Sequence, residues 1–88
     1  MHSRFRTVET RSIRDQLFRE SLVERRSSFD LVAVEVFLPE RKEWEATHYA
    51  VRNSTGKWIH CFGIDPQDPK AAMDRAMSCL EKIADASG

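Results

Sequence analysis

The residues able to do chemistry are few. The chain holds three histidines and two cysteines, and the acids near them include Glu35. His48, Cys61 and Cys79 are soft donors of the kind zinc selects. Neither Cys-x-x-Cys nor His-x-x-x-His spacing occurs among them. The plainer reading is two reduced, buried, metal-free thiols acting as small hydrophobes. His60 with Tyr49 and Glu35 could form an acid/base group, but the sequence offers no nucleophile or oxyanion donor beside them. Asn53-Ser54-Thr55 matches a glycosylation acceptor, but without a secretion signal the turn is the better reading. No phosphate loop, dinucleotide fingerprint, zinc-protease helix or nucleophile elbow is present, so no cofactor and no catalytic residue is expected.

The elements that must position these residues follow from periodicity. Residues 1–8 show no period and are expected to fray. Residues 9–20 read as a helix capped by Thr10, with Ile13 and Leu17 four apart. Phe18 and Leu22 fall on its far side. Residues 21–26 either extend that helix or open a strand. Phe29 to Leu38 is β-branched and aromatic and stops at Pro39, which predicts a strand. Residues 44–52 and 57–63 predict two more, joined by Asn53-Ser54-Thr55-Gly56. Asp68 as cap and Pro69 at the first turn begin a helix to about residue 86. The expected class is α+β: an N-terminal helix, a three-stranded antiparallel sheet over 29–63 (four-stranded if 21–26 joins), and a C-terminal helix over 69–86 on one face. The 88 residues form one domain.

Loop lengths set an expected register. They pair Val32 with Ala50, Val34 with His48, Ala50 with Ile59 and His48 with Cys61. One face then collects Val32, Val34, Val36, Leu38, Trp44, Ala46, His48, Ala50, Ile59 and Cys61. Its small residues suit a close helix, so the C-terminal helix is expected there, with Ala76 and Leu80 buried. The other face holds Leu31, Tyr49, Val51, Trp58, His60 and Phe62. An apolar face of that extent wants a cover. The N-terminal helix, a second copy of the chain, or a ligand would serve.

Lysine plus arginine equals aspartate plus glutamate, so net charge is zero. That argues against a dedicated nucleic-acid binder, whose affinity rests on neutralised phosphates. The balance is uneven, since residues 1–26 hold seven arginines against four acids. Arg4, Arg6, Arg11 and Arg14 make an arm that could meet nucleic acid. The blander reading is a solvated helix with internal pairs such as Asp15 with Arg19. No apolar run is long enough to span a membrane. The start, Met1-His2-Ser3-Arg4-Phe5-Arg6, lacks the apolar stretch of a secretion signal, so a cytoplasmic location is expected.

Glu24-Arg25, the strand closing on Pro39, the Trp44-led strand, Gly63-Ile64-Asp65 and the Ala-rich helix from Ala71 to Ile83 resemble a family of short bacterial domains of unknown function. The likeness covers residues 22–85 and carries no activity. The order helix, three strands, helix also resembles double-stranded RNA-binding domains. The lysine cluster those domains place at the last helix is replaced here by Asp65, Asp68 and a single Lys70. The expected function is therefore a non-enzymatic protein–protein interaction or regulatory module, self-associating as a homodimer or meeting another protein through the Trp58 and Tyr49 face. The rival is a nucleic-acid-binding module that stacks bases on Tyr49, Trp58 and Phe62 and uses the arginine arm.

Overall fold

A computed structural model describes residues 6–13 and 16–87. Among these residues, five strands precede one helix: β1 (Arg6–Ile13), β2 (Gln16–Arg26), β3 (Phe29–Leu38), β4 (Glu43–Arg52), β5 (Trp58–Gly63) and α1 (Pro69–Ser87). The strands form one antiparallel meander in the order β1-β2-β3-β4-β5. The helix expected over 9–20 does not exist. Strands β1 and β2 stand there instead, and the sheet has five strands rather than three or four. The expectation of fraying is replaced by strand for residues 6–8, while residues 1–5 lie outside the described chain.

The reason is visible in β2. Its apolar residues fall on both sides because the strand lies inside the sheet and both faces are used. Phe18 and Leu22 lie opposite Val36 and Val32, and Val23 forms a bulge between Leu22 and Glu24. Such a pattern gives a poor helical stripe and a good two-faced strand. The turn to β3 is tight, since Arg26 pairs with Phe29 across Ser27 and Ser28. Only Ser27 of the two has a positive φ, 55°, the sign of a type II′ turn that favours glycine there. Ser27→Gly is expected to raise stability by about 1 kcal/mol, read as a higher urea midpoint at unchanged slope.

The central strand β3 is buried from Leu31 through Val36, on both faces. Its odd residues face α1. Leu31, Val51, Ala76 and Leu80 form the core there, with Val23, Phe29, Tyr49, Phe62, Met73, Met77, Cys79 and Ile83 packed around it. The expectation for α1 is thus reversed: it covers the Leu31 face, not the Val34 face. The small residues that admit it are its own, Ala72 and Ala76, both buried. Asp68 and Pro69 do open the helix, and an Asp65 side chain accepting from the Gln67 amide (2.9 Å) shapes the turn before it.

Two register differences matter. A bulge at Thr47 pairs Phe37 with Trp44 and Val36 with Glu45, one residue off the expectation, while Val34–His48 and Val32–Ala50 hold. Across β4 and β5, Tyr49 pairs with Phe62, Val51 with His60 and Ala50 with Cys61, a shift of two. The cause is the loop. The Asn53 side chain accepts from the amides of Thr55 and Lys57, both at 3.0 Å, and the Asn53 amide donates to the Lys57 carbonyl. These bonds draw Lys57 into the loop. A further irregularity pairs Arg52 with Trp58, leaving Ile59 as the extra residue. It turns Trp58 to the face opposite Val51.

Candidate interaction surface

The sheet carries two charged networks, one on each face, and both start from adjacent residues of β2. On the α1 side, the Arg19 guanidinium donates to Glu35 (2.9 and 3.5 Å), and the Ser21 hydroxyl donates to the same carboxylate at 2.7 Å. Arg19 also lies 4.3 Å from the centroid of Trp44, which packs on Phe37 at 5.3 Å. On the open side, Arg52 Nη1 donates to Glu20 Oε1 at 2.8 Å and the Trp58 indole donates to the same oxygen at 3.1 Å. Both glutamates are buried, Glu20 to 3% exposure. Their charges are met by arginines, Glu35 by Arg19 of the adjacent strand β2 and Glu20 by Arg52 from β4 across β3, as a buried carboxylate requires. The Asp15–Arg19 pair expected from a helix is replaced by Arg19–Glu35, with Asp15 outside the described residues.

The residues expected to form one interaction surface are divided. Leu31 and Val51 are fully buried in the core beneath α1, and Tyr49 and Phe62 pack against that core. Trp58 lies on the opposite face with Glu20, 38% exposed. His60 is exposed on β5 and stacks on Phe62 at 6.4 Å. The cover for the Leu31 face is thus α1, which was not among the three covers weighed. The stacking platform of the nucleic-acid reading is dispersed for the same reason. Of its arm, Arg4 and Arg14 lie outside the described residues, and Arg6 and Arg11 belong to β1.

The chemical groupings come apart as well. Tyr49 is close enough to Glu35 to feel its charge, but His60 pairs with Val51 rather than with Tyr49, one row over. Cys61 pairs with Ala50 on the open face, while Cys79 packs into the core on the other side of the sheet. Among the described residues no group of three His, Cys, Asp or Glu is placed to hold a metal. Cys61 is exposed rather than buried as expected. Partial desolvation still pushes its thiol up in pKa, and the Phe62 amide pulls it the other way. Burial likewise raises Cys79 against the pull of Lys82.

Burial, helped by the Glu35 charge, also raises the Tyr49 hydroxyl above its usual value near 10. The folded state then holds that proton more tightly than the unfolded chain. Stability from this source is complete below about pH 10 and declines as pH rises beyond it. Tyr49→Phe is expected to flatten that alkaline slope in urea titrations taken at rising pH. An unchanged slope would place Tyr49 in ordinary solvent.

A depression of about 300 Å³ opens between the β2–β3 and β4–β5 turns, lined by Arg25, Ser28, Asp30, Arg52 and Asn53 among others. Its charges are already matched, Arg25 with Asp30 at 2.6 Å and Arg52 with Glu20. Arg52 Nε, by contrast, is buried without a hydrogen-bond partner among the described residues.

What is open is the edge of the sheet at β5. Trp58 through Cys61 and Gly63 are exposed, and Ile59 is 37% exposed. The Ile64 amide donates to the Thr47 carbonyl at 3.0 Å. By the alternation of an antiparallel ladder, Phe62 and His60 turn their main-chain groups to β4, and Cys61 and Gly63 turn theirs outward. Among the described residues no strand pairs with that outer edge. Sequence reading missed the edge because it treated β5 by its faces. The absence of any charged residue from Trp58 to Gly63 was the available signal.

The fold and edge define an α+β module, a five-stranded meander with one helix on one face and a bare final strand. Comparison with known proteins finds no matching family model, curated protein or solved structure. Among the described residues no helix is long and apolar enough to cross a membrane.

Proposed function

We propose that the chain is a non-enzymatic protein–protein interaction module that receives an extended protein segment along the outer edge of β5. The supporting observation is that edge: six residues without a charge, all but Phe62 exposed, with the Cys61 and Gly63 main-chain groups turned out. Natural sheets usually guard such edges with lysine, proline or a covering loop. The opposite edge strand, β1, carries Arg6, Glu9 and Arg11. Strand addition draws its affinity from main-chain hydrogen bonds and its selectivity from alternate side chains. Trp58 and Ile59, with relatively high apolar exposure, stand at the start of β5 to supply that selectivity.

The probe is a synthetic peptide spanning residues 57–65. At millimolar concentration it is expected to slow amide exchange at Cys61 and Gly63 while leaving β3 unchanged. If those two amides exchange equally fast with and without the peptide, the edge does not receive strands and the reading fails.

A further inference from the structure

Resting on that reading, we infer that the partner at the β5 edge is a second copy of the chain, paired antiparallel about a two-fold axis at Cys61. Outward main-chain groups on Cys61 and Gly63 allow only registers that oppose odd-numbered residues to odd-numbered ones. Registers centred on Cys61 and on His60 overlap the strand equally, and the one on Cys61 engages the outward groups of both Cys61 and Gly63. It sets Cys61 against Cys61 of the second copy, Gly63 against Ile59, and His60 against Phe62. The smallest residue of the strand thus meets its exposed aliphatic one.

The flanking charges favour the antiparallel direction. Lys57 precedes β5 and Asp65 follows it, so antiparallel self-pairing brings the Lys57 end of each copy beside the Asp65 end of the other. Both are exposed, and neither has an ion-pair partner among the described residues. Two-fold pairing therefore brings opposite charges near each other at both ends of the paired strands, which themselves carry no charge. The result is a continuous ten-stranded sheet with isologous contacts, the commonest symmetry of small assemblies.

Three measurements test this together. Sedimentation across micromolar to millimolar concentration is expected to show a monomer–dimer equilibrium. In a Cys79→Ser background, oxidation by copper phenanthroline and oxygen is expected to link Cys61 to Cys61. Directly opposed residues of such a pair have Cα atoms about 5.5 Å apart, within disulfide reach. Lys57→Glu is expected to weaken dimerisation about tenfold, and adding Asp65→Lys to restore it. Lys57 lies in a loop and is exposed, so circular dichroism should be unchanged in the single variant. A monomer at millimolar concentration overturns the inference. So does a dimer that neither links through Cys61 nor responds to Lys57→Glu. If the 57–65 peptide protects the edge while the chain stays monomeric, the edge reading survives and the self-pairing does not.

Discussion

Leu80→Ala is expected to cost about 3–5 kcal/mol, the upper part of the range for leucine truncations in a core. Leu80 is completely buried, and it meets Leu31 and Val51 across the interface between α1 and the sheet. The site cannot collapse easily. The sheet beneath is fixed by ladder bonds, and Ala76 on the helix offers only a methyl group, so only the surrounding side chains Met73, Met77 and Ile83 can close part of the gap. A domain of this length has roughly 4–13 kcal/mol in total, so the loss is a large share of it. Leu80→Met, which keeps the volume, should cost less than about 1.5 kcal/mol. The urea midpoint gives the result, and a second substitution locates the helix. Leu31→Ala combined with Leu80→Ala should fall short of additivity by about 0.5 kcal/mol or more, because the two side chains share one cluster. Val34→Ala with Leu80→Ala should add, since the sheet lies between them. Additivity of the first pair and coupling of the second would put α1 on the other face.

Strands β3, β4 and β5 and the helix after Asp68 were legible because each carries its signal locally. β-Branched runs, a turn at Asn53–Gly56 and a cap at Asp68-Pro69 need no knowledge of the rest of the chain. The sorting of β3 and most of β4 into two faces was legible too, since alternation fixes which residues travel together. Which face receives the helix was not. Alanines on β4 pointed one way, and the deciding alanines were on the helix. Strand β2 was hidden by a coincidence of spacing. Ile13 and Leu17, four apart, read as one helix face, but Ile13 closes β1 opposite Gln16 and Leu17 lies in β2 opposite Ser12, so the spacing joins residues of two different strands. What separates the cases is partners, and these lie far away in the chain. Arg19 reaches Glu35 across 16 residues and Arg52 reaches Glu20 across 32. No local window contains either pair. Trp58 was misplaced for a smaller reason. One extra residue at Ile59 turns a side chain over, and loop length alone does not reveal it. With Trp58 and α1 moved, the supposed aromatic docking face dissolves, and the bare edge beside it remains.

Arg52→Ala is expected to cost about 3 kcal/mol, although it removes a side chain from the face without a helix. Arg52 holds a charge that the fold cannot leave alone. Glu20 is buried to 3% exposure, and Arg52 Nη1 donates to its Oε1 at 2.8 Å. The guanidinium lies so close to Gly56 that a Cβ there would come within 2.8 Å of Nη2. The arginine is therefore seated by the β4–β5 loop and aimed across β3 at β2. Losing one member of a buried pair costs about 3–5 kcal/mol because the other charge stays buried. The lower end applies here, since the Arg52 side chain is 15% exposed and water can partly replace it. Removing both charges should restore most of the loss, so Glu20→Leu with Arg52→Met is expected within about 1 kcal/mol of wild type. A single-variant cost below about 1 kcal/mol would make this an ordinary surface pair. The effect should also be local before it is global. The Trp58 indole donates to the same Glu20 oxygen, at 3.1 Å, so the first residue of β5 is tied across two strands to β2. Without Arg52 that oxygen is less firmly placed. Amides of β5 should then exchange faster than those of β3 by more than the global loss accounts for, and the edge should pair less well with its partner. Equal acceleration in β3 and β5 would mean that Arg52 supports the sheet as a whole and has no special hold on the edge.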